Sequence, residues 1–346
     1  MIARITFAVA LIALLVPPLP AAAQYDDAPL VDWREELRVF VQRLGDYARG
    51  LNPQFVVLGR DGLDLLEKFE DGDETRRAPA RAYIQSLDGI IVNGLWAGRR
   101  QFGQADIADV VRIRREKVDL AAESGLRVLT WDATEDPILM GQIYLDSEAE
   151  GFVPFVSDSR FGNRLPAFPP KPPGENPNNV LALEQVRNYL MLDDSTAFGT
   201  QAQYAFAMHD LNHDMLVVDV MHGRQPLQRG AIERMKYKKI GARRLVLAKL
   251  NLTIASRSMY YWQIDWREGS PYWIAAPVPG DPDSYRIEYW RPEWQATIFG
   301  NATSFVYGLW TLGFDGVVLE GLDTFRYFEG TEDEERDDDG LEVEGR

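Results

Sequence analysis

The stretch GFDGVVLEGLDTFRYFEG, residues 313–330, decides how this chain is read. Gly316-Val317-Val318-Leu319 is a short unbroken apolar run with β-branched residues, the pattern of a strand buried on both faces. It stops on Glu320, and Asp323 follows three residues later. A glutamate directly behind three buried apolar residues is costly unless its head group reaches a polar cavity. Strands buried on both faces that end in a polar space are the arrangement of a (β/α)8 barrel, whose chemistry sits at the carboxyl ends of its strands. Glu320 is therefore expected where a buried strand emerges into the mouth.

Eight further runs of the same kind are spread along the chain: FVVLG from 55, GIIV from 89, RVLTW from 127, FVPFV from 152, YLML from 189, MLVVDV from 215, RLVLAKL from 244 and YRIEYW from 285. Helical patterns separate them, which predicts a parallel sheet covered on both faces. VDWREELRVFVQRLGDYARGL, residues 31–51, places Leu37, Val41, Leu44 and Tyr47 on one face. DIADVVRIRREKVDLAAESGL, residues 106–126, has Gly125 to stop it, and QPLQRGAIERMKYKKIG, residues 225–241, ends on Gly241. Nine runs are one too many for an eight-stranded barrel, and FVPFV is taken as the extra, a short addition beside it. LPAFPPKPPGENPNN, from Leu165 to Asn179, is too rich in proline for helix or central strand. It divides the chain into a three-strand and a five-strand part. Only together do these close a barrel, so residues 24–330 are expected to form one domain.

At the amino end Arg4 precedes the apolar run Ile5 to Val16, followed by PPLPAAAQ. This reads as a signal peptide cut after Ala23, since the run falls short of the ~20 residues that span a bilayer. The expected location is secreted or periplasmic, with no stable membrane insertion. The chain has no cysteine, which excludes disulfides and thiolate metal sites. The net charge is −16, and the tail from Thr331 to Arg346 holds nine acids and two bases, the composition of a solvated, disordered segment. So acidic a chain is a poor partner for nucleic acid or anionic lipid and tolerates a neutral or cationic ligand.

The ends of the runs are polar, acidic and aromatic: Arg60 and Asp61, Asn93 and Trp96, Trp131 and Asp132, Asp193 and Asp194, Asp219, Asn251, Tyr289 and Trp290, Glu320 and Asp323. Here the sequence resembles glycoside hydrolase family 114, the secreted endo-α-1,4-polygalactosaminidase-like barrels. YRIEYWRPEWQATIFGNATSFVYGLWTLGFDGVVLEGLDTFRYFE, residues 285–329, is similar to that family's Tyr-Trp-x-Pro-Glu-Trp-Gln run, helix, Gly-Phe-Asp-Gly and acid-ended strand. YARGLNPQFVVLGRDGLDLL and LDGIIVNGLWAG are similar to segments that in the family follow that strand, so the order looks circularly permuted, which is plausible where barrel termini lie close together. The chain departs from the family at Asn93, where members carry an acid, and at Thr253 to Arg257, where they carry a Gly-Glu motif. Arg60-Asp61-Gly62 stands for Gln-Asn-Gly, and Glu320 for an aspartate. Asp132 and Asp323 match.

Glycoside hydrolysis needs two carboxyl groups flanking the bond, ~5 Å apart for retention or ~6.5–9.5 Å for inversion. Glu320 and Asp132 are the candidate pair, with Asp323 as an orienting or alternate acid that could equally cap the helix beginning TFRYF. Asp61, Asn93, Trp96, Trp131, Asp219, Tyr289 and Trp290 are candidates for substrate contact, since indole and phenol rings stack on the apolar faces of sugars. All but Asn93 have a plainer alternative: a turn for Asp61, a core hydrogen bond for Asp219, core packing for the aromatics. His209 and His213 have the i, i+4 spacing of a metal pair but lack a third ligand. No metal or cofactor is implied. The expected partner is a polysaccharide and the expected state a monomer. The reading is a hydrolase of a polymer such as α-1,4-linked galactosamine, and its alternative is a carbohydrate-binding barrel that has lost catalysis.

Overall fold

The computed structural model describes residues 31–70 and 73–332. The segment expected to be a signal peptide and nearly all of the acidic tail lie outside the described residues. Eight parallel strands, β1 (Val56–Arg60), β2 (Gly89–Asn93), β3 (Arg127–Ala133), β4 (Val153–Ser157), β5 (Tyr189–Met191), β6 (Met215–Val218), β7 (Leu245–Asn251) and β8 (Gly316–Glu320), form one sheet. Their spatial order is their chain order taken round a ring, with β8 pairing both β7 and β1. β4 and β5 come alongside each other without pairing, so the ring is nearly closed. The fold is a (β/α)8 barrel, as the apolar runs predict.

Helices α1 (Trp33–Leu51), α2 (Arg81–Gln85), α3 (Ala108–Glu123), α4 (Pro137–Ala149), α5 (Gln201–His209), α6 (Arg229–Met235), α7 (Pro292–Ile298), α8 (Phe305–Leu312) and α9 (Phe325–Glu329) surround or flank it. Asp32 caps α1 by accepting from the Glu35 amide at 2.9 Å, and Leu37, Phe40, Val41, Leu44 and Ala48 are its buried stripe. Each such fully buried large aliphatic or aromatic side chain contributes about 1.5–3 kcal/mol. α1 packs against α2, α8 and α9, so this helix from before β1 covers the wall where a helix following β8 would lie. The third expected helix is shorter than its pattern, stopping at Met235. Among the described residues no helix is long and apolar enough to cross a membrane.

Two strand assignments change. FVPFV is not an addition: it is β4, paired to β3 from Val153 opposite Leu129 to Ser157 opposite Ala133. YRIEYW is not in the barrel. Asp281–Ile287 is the middle strand of a three-stranded antiparallel sheet with Ile254–Ser256 and Ile274–Val278, inserted between β7 and β8. The proline-rich segment therefore separates four strands from four. An aromatic cluster holds the insertion together, with Trp266 and Trp273 rings at 4.8 Å, Trp262 and Tyr285 at 5.3 Å, and Trp273 and Trp294 at 5.4 Å.

The glycine of GFDGVVLE is a packing requirement. A Cβ on Gly316 would lie 2.3 Å from the Val56 carbonyl oxygen on β1, and one on Gly89 would lie 2.3 Å from that of Arg127 on β3. Two strands thus start with a residue that lets the neighbouring backbone approach. Behind Gly316, Val317, Val318 and Leu319 are fully buried and Glu320 is half-buried at the rim.

Candidate functional site

The residues at the carboxyl ends of β1, β2, β5, β7 and β8 converge. Arg60 is the hub: its Nη1 donates to Glu320 Oε1 at 2.6 Å and to Asp193 Oδ1 at 3.5 Å, and its Nε donates to Asn93 Oδ1 at 2.9 Å. Its guanidinium lies over the Trp131 ring, 5.6 Å from the centroid. Lys249 Nζ donates to Asp193 Oδ1 at 2.9 Å from the other side. Two cations and two carboxylates, drawn from positions 60 to 320, form one network above the apolar core.

Period-two alternation brings them in. Lys249 and Asn251 are two apart on β7, and Asn251 lies opposite Glu320 in the sheet. Burial lowers the affinity of Lys249 and Arg60 for a proton, but Glu320 and Asp193 outweigh it and hold both cations above their ordinary values. Burial likewise pushes the Asp193 carboxyl up, and Lys249 and Arg60 overcome it and hold it below the carboxylate range. Asp219, just past the end of β6, goes the other way. Burial raises it against the pull of Lys249, and its Oδ1 accepts from the Met221 amide at 2.7 Å.

A pocket of about 360 Å3 opens beside the hub, lined by Arg60, Asn93, Asn251, Glu320, Asp323 and Thr324 among others. Asp61 borders it in a left-handed conformation, φ 54°, rare for a residue with a side chain. It accepts from the Asn93 amide at 3.0 Å and side chain at 2.5 Å, and from Arg114 Nη2 at 3.1 Å. Asp323 does not cap the last helix with its side chain: Thr324 is the cap residue, and Asp323 Oδ2 accepts from the Gly62 amide at 3.2 Å.

The structure does not bring the expected catalytic pair together. Trp131 faces the hub, so the next residue, Asp132, points to the opposite side of β3. Asp132 is fully buried, its Oδ1 accepting from the amides of Trp96 and Ala97 at 2.7 and 2.9 Å. Trp96 is likewise anchored outward, with Nε1 donating to Ser147 on α4 at 2.9 Å. Tyr289 and Trp290 follow the inserted sheet, not a barrel strand. Tyr289 is buried with its hydroxyl on the Trp33 carbonyl at 2.7 Å, and Trp290 packs on Phe328 at 4.8 Å. Of the expected aromatics, Trp131 alone meets the hub. His209 Nδ1 donates to the Tyr237 carbonyl at 3.0 Å, and among the described residues no group of three or more His, Cys, Asp or Glu side chains is placed to hold a metal ion. Lys249 is not among the expected site residues, although a lysine inside the apolar run RLVLAKL is its signal.

Burial raises the Asp132 carboxyl to about 6, against the Ala97 and Trp96 amides that favour its charge. An acid whose folded pKa exceeds its unfolded value of ~3.9 adds stability below that value and loses it as pH rises through the folded one. Stability should therefore fall by about 2–3 kcal/mol between pH 4 and 6 through this group. Asp132→Asn keeps an acceptor for both amides and offers its NH2 toward the neighbouring Thr130 hydroxyl. The variant is expected to lack this fall and to be the more stable protein above pH 6. Denaturant titrations of both proteins across that range check it, and parallel curves would refute it.

No family model matches the chain. It is 25% identical over 162 residues, 46% of each chain, to the uncharacterised protein MJ1477 of Methanocaldococcus jannaschii. It is 30% identical over 83 residues, 24% of this chain and 26% of the relative, to an uncharacterised protein of Deinococcus radiodurans. The chain spans less than half the length of these relatives.

Proposed function

We propose that this is a glycoside-hydrolase-like barrel that holds a polyhydroxylated glycan at its mouth and does not cleave it while Arg60 keeps its place. The position of Arg60 Nη1 carries this reading. At 2.6 Å from Glu320 and 3.5 Å from Asp193, it keeps those two carboxylate oxygens within about 6.1 Å of each other. That bound falls short of the ~6.5–9.5 Å of inverting enzymes and admits the ~5 Å of retaining ones. The guanidinium, however, fills the space where a scissile bond would lie, and Asp193, held below the carboxylate range by Lys249 and Arg60, is a poor proton donor. The pocket still offers amide, hydroxyl and carboxylate groups for sugar hydroxyls, and Trp131 lies against the Arg60 guanidinium at its edge. The resemblance to family 114 supplies the substrate class, an aminosugar polymer, and the leader-like segment suits an extracellular or periplasmic one.

Calorimetric titration with galactosamine and N-acetylgalactosamine oligomers, run beside an assay for released reducing ends, tests this. Saturable binding without release is expected, weakened about tenfold or more by Glu320→Gln, as for loss of a charged hydrogen-bonding group. Absence of binding would sink the reading. Asp219 favours a second one, since a carboxyl that burial raises is suited to donate a proton. Release abolished by both Asp219→Asn and Glu320→Gln would establish hydrolysis in place of binding alone.

A further inference from the structure

A second cavity, of about 590 Å3, lies at the seam between β4 and β5, where the ring is not closed by hydrogen bonds. In place of a ladder, the Phe155 and Tyr189 rings sit 5.6 Å apart and the Tyr189 hydroxyl donates to the Thr130 carbonyl at 2.8 Å. The loops that lead into β6 and β7 contribute His213 and Ile240, which puts the cavity toward the amino ends of the strands, away from the mouth. The proline-rich segment forms another wall with Pro166, Pro169, Pro170, Pro172 and Pro173. Proline has no amide hydrogen and a fixed φ, so this wall can neither pair with the open seam nor readily fold into it. A space between a rigid wall and a packed barrel does not collapse, and its volume is that of a small-molecule site.

The lining is mostly apolar, and its polar groups describe the ligand. Lys239 is paired with Asp210 at 3.0 Å, and Glu175 accepts from Asn212 at 2.6 Å. Lys171 is exposed. His213 differs from these. Its side chain makes no hydrogen bond, its Nδ1 is sealed inside the protein, and its ring is half-buried, which leaves the Nε2 edge to face outward. Burial, and then the nearby Arg244, depress it to about 3, so the ring is neutral. A charged ligand would find no unpaired buried partner here, and desolvating it would be costly.

We propose that this seam cavity binds an uncharged ring-bearing alcohol or phenol, with its apolar body between the proline wall and the Phe155 and Tyr189 rings and its hydroxyl on His213. Naphthol is a suitable probe, with naphthoate and naphthylmethylammonium as its anionic and cationic counterparts, titrated into the full chain by calorimetry. Saturable naphthol binding is expected, with both charged probes about tenfold weaker or worse. Ile240→Trp fills the cavity from a half-exposed loop position, and His213→Phe removes the polar edge. Each is expected to weaken naphthol about tenfold, whereas Arg60→Ala at the mouth leaves it unchanged. Lack of saturation, equal binding of the three probes, indifference to Ile240→Trp, or loss with Arg60→Ala would overturn the proposal.

Discussion

Lys238→Ala is expected to destabilise the protein by about 3–5 kcal/mol, because it strands a charge in the interior. Lys238 and Asp214 have no exposed side-chain surface, and Nζ lies 2.6 Å from Asp214 Oδ1. The other two ammonium hydrogens go to the carbonyls of Asn176 at 2.7 Å and Asn178 at 3.1 Å, so the lysine also pins the end of the proline-rich segment. Without it, Asp214 keeps the Arg187 amide at 2.9 Å and has no direct ion pair, with Arg244 acting on it only from farther off. The pair Lys238→Met with Asp214→Leu removes both charges and should recover part of the loss. It cannot recover all, since two backbone carbonyls remain without a donor and each such group costs about 1–3 kcal/mol. Urea titration at pH 7 decides the matter: equal stability of Lys238→Ala and the native protein would show that water reaches Asp214.

Trp294→Ala should have an effect of similar size, about 3–5 kcal/mol, from the cavity it leaves. Trp294 is fully buried where α7 meets the insertion, its ring 5.4 Å from Trp273 and 5.6 Å from Tyr261. Its Nε1 donates to the Leu252 carbonyl at 2.7 Å, one residue beyond the mouth residue Asn251. Trp294→Phe retains much of the apolar area and loses that bond, so about 1–3 kcal/mol is expected. Denaturation midpoints rank the three proteins, and near-ultraviolet circular dichroism reports on the aromatic cluster. Alanine and phenylalanine variants of equal stability would mean that the indole packs to no effect.

The two misplaced strands show where the sequence pattern was readable and where it misled. YRIEYW alternates: Tyr285, Ile287 and Tyr289 are apolar, Arg286 and Glu288 are not. That is the period of an antiparallel strand with unlike faces, not of a barrel strand buried on both. FVPFV is unbroken, but a proline inside it has no amide hydrogen to give a strand paired on both edges. The open seam removes the objection, because β4 pairs with β3 and leaves its other edge unpaired. The site was legible as a set of strand ends, and Glu320, Asn93 and Asp61 do meet there. Asp132 does not, because one residue along a strand reverses the direction of a side chain. Its neighbour Trp131 took the inward position.

Local pattern by itself determined the architecture: unbroken apolar runs that can hide both faces only inside a layered α/β fold, separated by helices and ended by polar residues. Pairing at the mouth was decided only by the nearly closed ring. Arg60, Asp193, Lys249 and Glu320 are spread over 260 positions of chain, and strand stagger sets which of them touch. The burial that then surrounds them sets their charges, and neither distance nor burial is a property of any one stretch of sequence.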